Sequence, residues 1–224
     1  MAVSDVWTTI SALAVDIENR FNSTGTKEPG HMDYGWYNSI YSSSRYRRAH
    51  IEIVDNRESH KLYILHCTIF PHFNDPSPIW GFDAVCGPNK ITGAFHDFSA
   101  AGDPTHPMMQ WFSKETTEYG WQKPRELPVW ARSIFSPSMV AAGNVQMGPE
   151  LDDLCKLALD SLDYYLANVG HSQQDAASYH MAQNRYCRFQ KQNPHMIKSM
   201  VAMGTPEATI YKFVQEVLFP ETHE

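Results

Sequence analysis

The stretch "RAHIEIVDNRESHKLYILHCTIFP", Arg48 to Pro71, decides the fold. Its opening residues alternate. On an extended chain Ala49, Ile51 and Ile53 point to one side, and His50, Glu52 and Val54 to the other. "NRES" is a turn signal, "HKLYILHCTIF" is rich in strand formers, and Pro71 closes the run because proline has no N–H to give a ladder. Strands joined by so short a turn pair antiparallel, since a parallel pair needs a long crossover.

The same pattern continues outward. "IWGFDAVCG" and "KITGAFHDFS" read as further strands, separated by the turn Gly87, Pro88, Asn89. Upstream, "MAVSDVWTTISALAVDIENRF" reads as an amphipathic helix with Ser4 as its cap, followed by a polar stretch from Asn22 to His31. Downstream, Leu151, Leu154, Ala158, Leu162, Leu166 and Val169 recur at helical spacing, and Gly170 can end that helix. "GTPEATIYKFVQEVLF" predicts a last helix with Thr205 as cap and Pro206 at its first position, and Ile210, Phe213, Val214 and Val217 form its apolar stripe. Helix, antiparallel sheet, helices: the expectation is an α/β/α sandwich, a central antiparallel sheet flanked by helices on both faces, in one domain over 1–224.

Composition narrows the function classes. A hydrophobic content of 42% supports a core, and a net charge of -7 disfavours a general nucleic-acid binder. No apolar run is long enough to span a bilayer, and the N-terminus lacks the basic start and cleavage site of a signal peptide. Cys67, Cys86, Cys155 and Cys187 form no CxxC pair, which fits free thiols in a reducing cytoplasm. No P-loop or GxGxxG is present, and the eleven histidines form no HxxxH with a glutamate between. His66 and Cys67 are adjacent, so on a strand they face opposite sides and do not readily share a metal.

Glu52, His66 and Asp83 each fall in a strand that should be buried. A buried carboxylate is costly unless paired or protonated. The three could share one cavity or find separate structural partners, and alternation alone does not give the register that decides between these.

"AHIEIV", "ILHCTIFP" and "WGFDAVCGP" resemble the consecutive signature segments of the ferredoxin-dependent bilin reductases, most nearly the phycocyanobilin:ferredoxin oxidoreductase branch. "WARSIFS" (Trp130 to Ser136) resembles the family's W-x-x-I-F-S segment, and "YKFVQEVLF" its last helix. The likeness runs from about residue 30 to the end. It implies an α/β/α sandwich holding biliverdin IXα between the sheet and the C-terminal helices. Electrons would arrive singly from reduced [2Fe-2S] ferredoxin, with no metal, flavin or nicotinamide bound to the chain, which would act as a monomer.

The resemblance also assigns roles. Asp83 would be the central proton donor, its pKa raised by burial. His66 would hydrogen-bond the terminal lactam and share a proton network with Asp83. Glu52 would protonate the D-ring vinyl group, which points to phycocyanobilin as product. Many members carry an aspartate in a C-terminal segment where "KQNPHMIKS" places Asn193, a hydrogen-bonding group but not an acid. That departure leaves open a phage-type relative making phycoerythrobilin, and a bilin-binding protein without turnover is the remaining alternative. Ser136 would touch a propionate, while "MVAAGN" lacks the arginine that the family often places after that segment. Arg185, Arg188 and Lys191, with Lys198 nearby, are either propionate or ferredoxin contacts or a solvated basic face.

Overall fold

The computed structural model describes residues 5–29, 34–175 and 178–222. Ser4, the expected first cap, lies outside them. Asp5 does that work: its carboxylate accepts from the Thr8 N–H at 2.7 Å at the start of α1 (Val6–Thr24).

Among the described residues eight strands follow in chain order: β1 (Thr26–Lys27), β2 (Tyr37–Ser42), β3 (Tyr46–Asn56), β4 (Leu62–Pro71), β5 (Ile79–Cys86), β6 (Lys90–Ser99), β7 (Val140–Ala142) and β8 (Val145–Gln146). They form one sheet in sequence order β1 to β7, with β8 also on β6, and every pairing is antiparallel. The four long strands match the four alternating segments read from the sequence.

The helices are α2 (Pro107–Thr116), α3 (Val129–Arg132), α4 (Pro149–Asn168), α5 (His180–Gln190), α6 (Pro194–Ala202) and α7 (Glu207–Phe213), which widens into a π-helical turn over Val214–Leu218. The last helix starts one residue later than expected. Pro206 is extended at ψ 133 and serves as the cap, so Thr205 lies outside it.

The side chains that alternate on the strands sort the helices into two layers. Ile51, Leu65, Cys67, Trp80, Phe82 and Phe98 face one way and pack on Ile10, Ile17 and Phe21 of α1, Phe112 of α2, and Leu154, Leu162 and Tyr165 of α4. Trp80 is fully buried, a burial that contributes roughly 2–3 kcal/mol, and its indole donates to Ser161 Oγ at 3.1 Å. Arg20 and Asp163 clasp α1 to α4 through two bonds of 2.6 and 2.9 Å. Gly170 follows α4 at φ 84, and a Cβ there would lie 2.8 Å from the Arg45 backbone, so glycine suits both the turn and the approach.

The opposite face carries Ile40, Phe70 and Ile79, which pack on Tyr186 and Cys187 of α5, Met200 of α6, and Ile210 and Phe213 of α7. Two arginines, Arg47 half-buried and Arg48 buried, tie this layer down. Arg47 sits at a β-bulge between β3 and β4, donates to Gln183 at 2.7 Å and lies over the Phe70 ring at 4.7 Å. Arg48 donates to the Val217 carbonyl in the π-helical turn. This second layer stands off the sheet at one place and leaves a cleft. No helix of the described residues is long and apolar enough to cross a membrane.

Candidate active site

The cleft has a volume of about 490 Å³ between the sheet and the C-terminal helices. Its floor is a single cross-strand row. Register sets Glu52 of β3 opposite His66 of β4, and His66 opposite Asp83 of β5. Directly opposed residues have Cβ atoms only about 4.5–5.5 Å apart. Alternation turns all three toward the cleft, while their neighbours Ile51, Cys67 and Phe82 turn into the other core. The shared-cavity arrangement therefore holds.

Around the row the walls are mostly apolar. Val54, Ile64, Val85 and Phe95 extend the floor, and Phe135, Tyr186, Met196, Met200, Leu218 and Phe219 come from the helical side. Phe219 meets the His66 ring edge-on at 5.6 Å. Such a lining with a few convergent polar groups suits a flat, largely apolar ligand.

This environment disfavours charge on the row. Burial pushes the Asp83 carboxyl up to about 7. Burial, and secondly the Asp83 charge, push Glu52 up to about 8, with the Trp36 side chain opposing weakly. Burial lowers His66 to about 4, so its imidazole is neutral at pH 7, and its Nδ1 has no hydrogen-bond partner. At neutrality the floor thus presents a neutral imidazole between a mostly protonated Glu52 and an Asp83 carboxyl poised at its midpoint of titration.

A stability consequence follows with a definite sign. Glu52 titrates near 4.5 in an unfolded chain and at about 8 in the fold. The stability tied to its proton is complete below pH 4.5 and is lost as pH rises through 8. Denaturant titrations of the ligand-free protein should show the wild type losing a few kcal/mol relative to Glu52→Gln across that window, at about 1.4 kcal/mol per pKa unit. Parallel pH profiles for the two proteins would remove Glu52 from the buried row.

Residues 3–220 match the ferredoxin-dependent bilin reductase family. The chain belongs to that family. It is 30% identical over 190 residues to the phycocyanobilin:ferredoxin oxidoreductase of Prochlorococcus marinus strain MIT 9313, covering 82% of this chain and 70% of that protein. The corresponding protein of Gloeobacter violaceus is 26% identical over 190 residues, 81% of this chain and 72% of the relative. Among solved structures, a protein named PcyX superposes with a TM-score of 0.70 at 26% identity over 96% of this chain and 99% of its own. Tomato phytochromobilin synthase, solved in complex with biliverdin, superposes with a TM-score of 0.72 over 94% and 82% of the two chains. At 14% identity it shows the shared fold.

In this bilin reductase, an oxidoreductase dependent on ferredoxin, the other expected site residues separate. Asn193 lines the cleft and caps α6, its side-chain oxygen accepting from the His195 N–H at 3.0 Å. Ser136 is committed elsewhere. Its N–H donates to Asp97 at 2.9 Å and its hydroxyl donates to the same carboxylate, which holds Phe135 in the wall.

Arg185, Arg188 and Lys191 do not line the cleft. The apolar face of α5 turns Tyr186 and Cys187 inward, so these cations point away. Arg185 stacks on Phe189 at 5.3 Å, Arg188 lies 3.5 Å from Glu221, and Lys191 pairs with Glu221 at 3.0 Å and with Gln215 at 2.6 Å. Arg188 and Lys191 fasten the C-terminal tail instead of reaching into the cleft.

Asp97 escaped the sequence reading. It is buried, accepts from Ser99 at 2.6 Å as well as from Ser136, and is raised to about 6 by burial against those bonds. Its signal, an acid inside the strand "FHDFS", is the same one that marked Asp83. All four cysteines are free, and burial raises the thiol pKa of each, which fits inert packing. Among the described residues no group of three or more His, Cys, Asp or Glu could hold a metal ion.

Proposed function

We propose that the cleft binds biliverdin IXα and that the chain reduces it to phycocyanobilin, taking electrons one at a time from reduced [2Fe-2S] ferredoxin. The observation that carries this reading is the row Glu52–His66–Asp83, two carboxyls whose pKa burial raises to neutrality or above, flanking a neutral imidazole on an apolar floor.

The chemistry needs such a row. Each electron placed on an extended bilin makes it more basic, and a proton has to follow. Reducing the D-ring vinyl group and then the A-ring takes two electrons and two protons at each site. Asp83, at the β5 end of the row and opposite Phe95 of β6, supplies protons to the conjugated system and the lactam. Glu52, at the end of the row, supplies the proton for the vinyl group. Asn193 stands at the helical side, where it donates a hydrogen bond and no proton. The bilin itself holds the unpaired electron between steps, so the reading requires no metal, flavin or nicotinamide on the chain, which works as a monomer in the cytoplasm.

A binder and a reductase part on one test. Biliverdin added anaerobically gives a blue-green complex in either case. Reduced ferredoxin should then produce transient radical absorbance followed by a blue-shifted product. A complex whose spectrum stays fixed through that addition would make the protein a bilin-binding module.

His66 offers a second check. Its imidazole, placed to bond the lactam, has a donor geometry that glutamine only partly reproduces. His66→Gln should shift the absorption of bound biliverdin and slow turnover by roughly ten- to a hundredfold, the size of one lost bond to a developing charge. An unchanged spectrum and rate would put His66 outside the ligand's reach.

A further inference from the structure

Trp36 carries a buried N–H that bonds to nothing. It stands just before β2, and its indole meets Phe213 of α7 edge-on at 5.0 Å, with the Tyr34 ring at 5.7 Å. Those contacts fix the ring against the core on the cleft side of the sheet. Its Nε1 is nevertheless buried without a hydrogen-bond partner. An unpaired buried donor is costly and calls for a reason. Register points to one. Asn38 of β2 lies directly opposite Glu52, just past the end of the acid row. Its amide donates to the Trp36 carbonyl across 3.5 Å, a long bond that braces the backbone carrying the indole.

A proton donor has two states to house. As a neutral acid Glu52 suits its buried place. When its O–H bond breaks and the proton goes to carbon, a carboxylate is left behind. Burial and the Asp83 charge oppose that anion, and the Trp36 side chain favours it. The other titratable groups around Glu52 are His66 and Asp83 in the row, His50 two residues back on β3 with its ring 6.2 Å from Phe213, and Tyr34 against Trp36. A carboxylate takes only donors, and an N–H already aimed beside it steadies the charge as it forms.

We infer that the Trp36 indole N–H is the donor that holds the Glu52 carboxylate once its proton has left, which makes Trp36 a positioning residue for that acid. The inference rests on the role proposed above for Glu52, but its first two tests need no ligand.

Denaturant unfolding is compared at about pH 5 and about pH 10 for wild type, Trp36→Phe, Glu52→Gln and the double variant. Phenylalanine keeps a ring against Phe213 and Tyr34 and removes the N–H. Without that donor the Glu52 pKa moves further up, so more stability is lost at alkaline pH. The unfolding constant should therefore rise roughly tenfold more at the alkaline pH than at the acid one, the size of a bond to a charged group, and this excess should vanish in the Glu52→Gln background. A second readout leaves Trp36 unaltered. One of the six indole N–H signals in the NMR spectrum of the wild type should shift with a midpoint near 8 and hold still in Glu52→Gln. In turnover, Trp36→Phe should slow vinyl reduction roughly tenfold and leave biliverdin affinity within about twofold. Equal losses at both pH values, an excess that survives in Glu52→Gln, or indole signals indifferent to Glu52 would overturn the inference. Unfolding and NMR results as expected, with phycoerythrobilin as the wild-type product, would overturn the vinyl role of Glu52 and leave the Trp36–Glu52 contact standing.

Discussion

Asp83→Asn is expected to bind biliverdin almost as tightly as wild type and to stall once the first electron arrives. Asparagine keeps the size and hydrogen-bonding reach of the carboxyl but has no transferable proton. The electron path is untouched, so the bilin radical should accumulate, and formation of fully reduced product should fall by roughly 10²–10⁴-fold, the usual yield of a positioned acid. Anaerobic absorbance after a single reducing equivalent reads both quantities. The wild-type rate should also fall as pH rises above about 7, because burial sets the Asp83 carboxyl there and only its acid form donates. Full turnover by Asp83→Asn would move the proton source elsewhere.

Glu52→Gln is expected to change the product and not merely the rate. Glu52 lies one strand beyond His66 at the end of the row. Its carboxyl, pushed up to about 8 chiefly by burial, keeps its proton through neutrality. Removing that proton should block reduction of the D-ring vinyl group while Asp83 still serves the rest of the bilin. Chromatography of the variant's products should show bilins that retain the vinyl group, with loss of phycocyanobilin of roughly 10²-fold or more. If the wild type makes phycoerythrobilin, the methine bridge near the D-ring is the bond reduced. Glu52→Gln would then leave the product unchanged, and Glu52 would be a bystander.

Much of the fold was legible because β-strands carry a period of two. "AHIEIV", "ILHCTIF" and "GFDAV" announce which residues share a face, and Pro71 and Gly87–Asn89 announce where strands stop. What alternation does not give is register. Setting Glu52, His66 and Asp83 in one row depends on the geometry of the turn at 57–61 and of the longer connection at 72–78, and neither follows from strand pattern. The basic residues at the end of α5 stayed ambiguous for a related reason. Arg185, Arg188 and Lys191 recur at helical spacing, but that marks a shared face without saying whether it looks into the cleft or out to Glu221. Arg125 was illegible because "QKPREL" has no period at all. Its N–H is held by a long-range bond to the Ala141 carbonyl, so only tertiary structure brings it to the cleft wall.

The measurement that bears most directly on the account is a complete anaerobic turnover of the wild-type protein with biliverdin and reduced ferredoxin, with electrons counted and products separated against phycocyanobilin and phycoerythrobilin standards. Four electrons should be consumed per biliverdin, with a transient radical and phycocyanobilin as the product. Phycoerythrobilin would contradict the role given to Glu52, and biliverdin recovered unchanged would contradict the account as a whole.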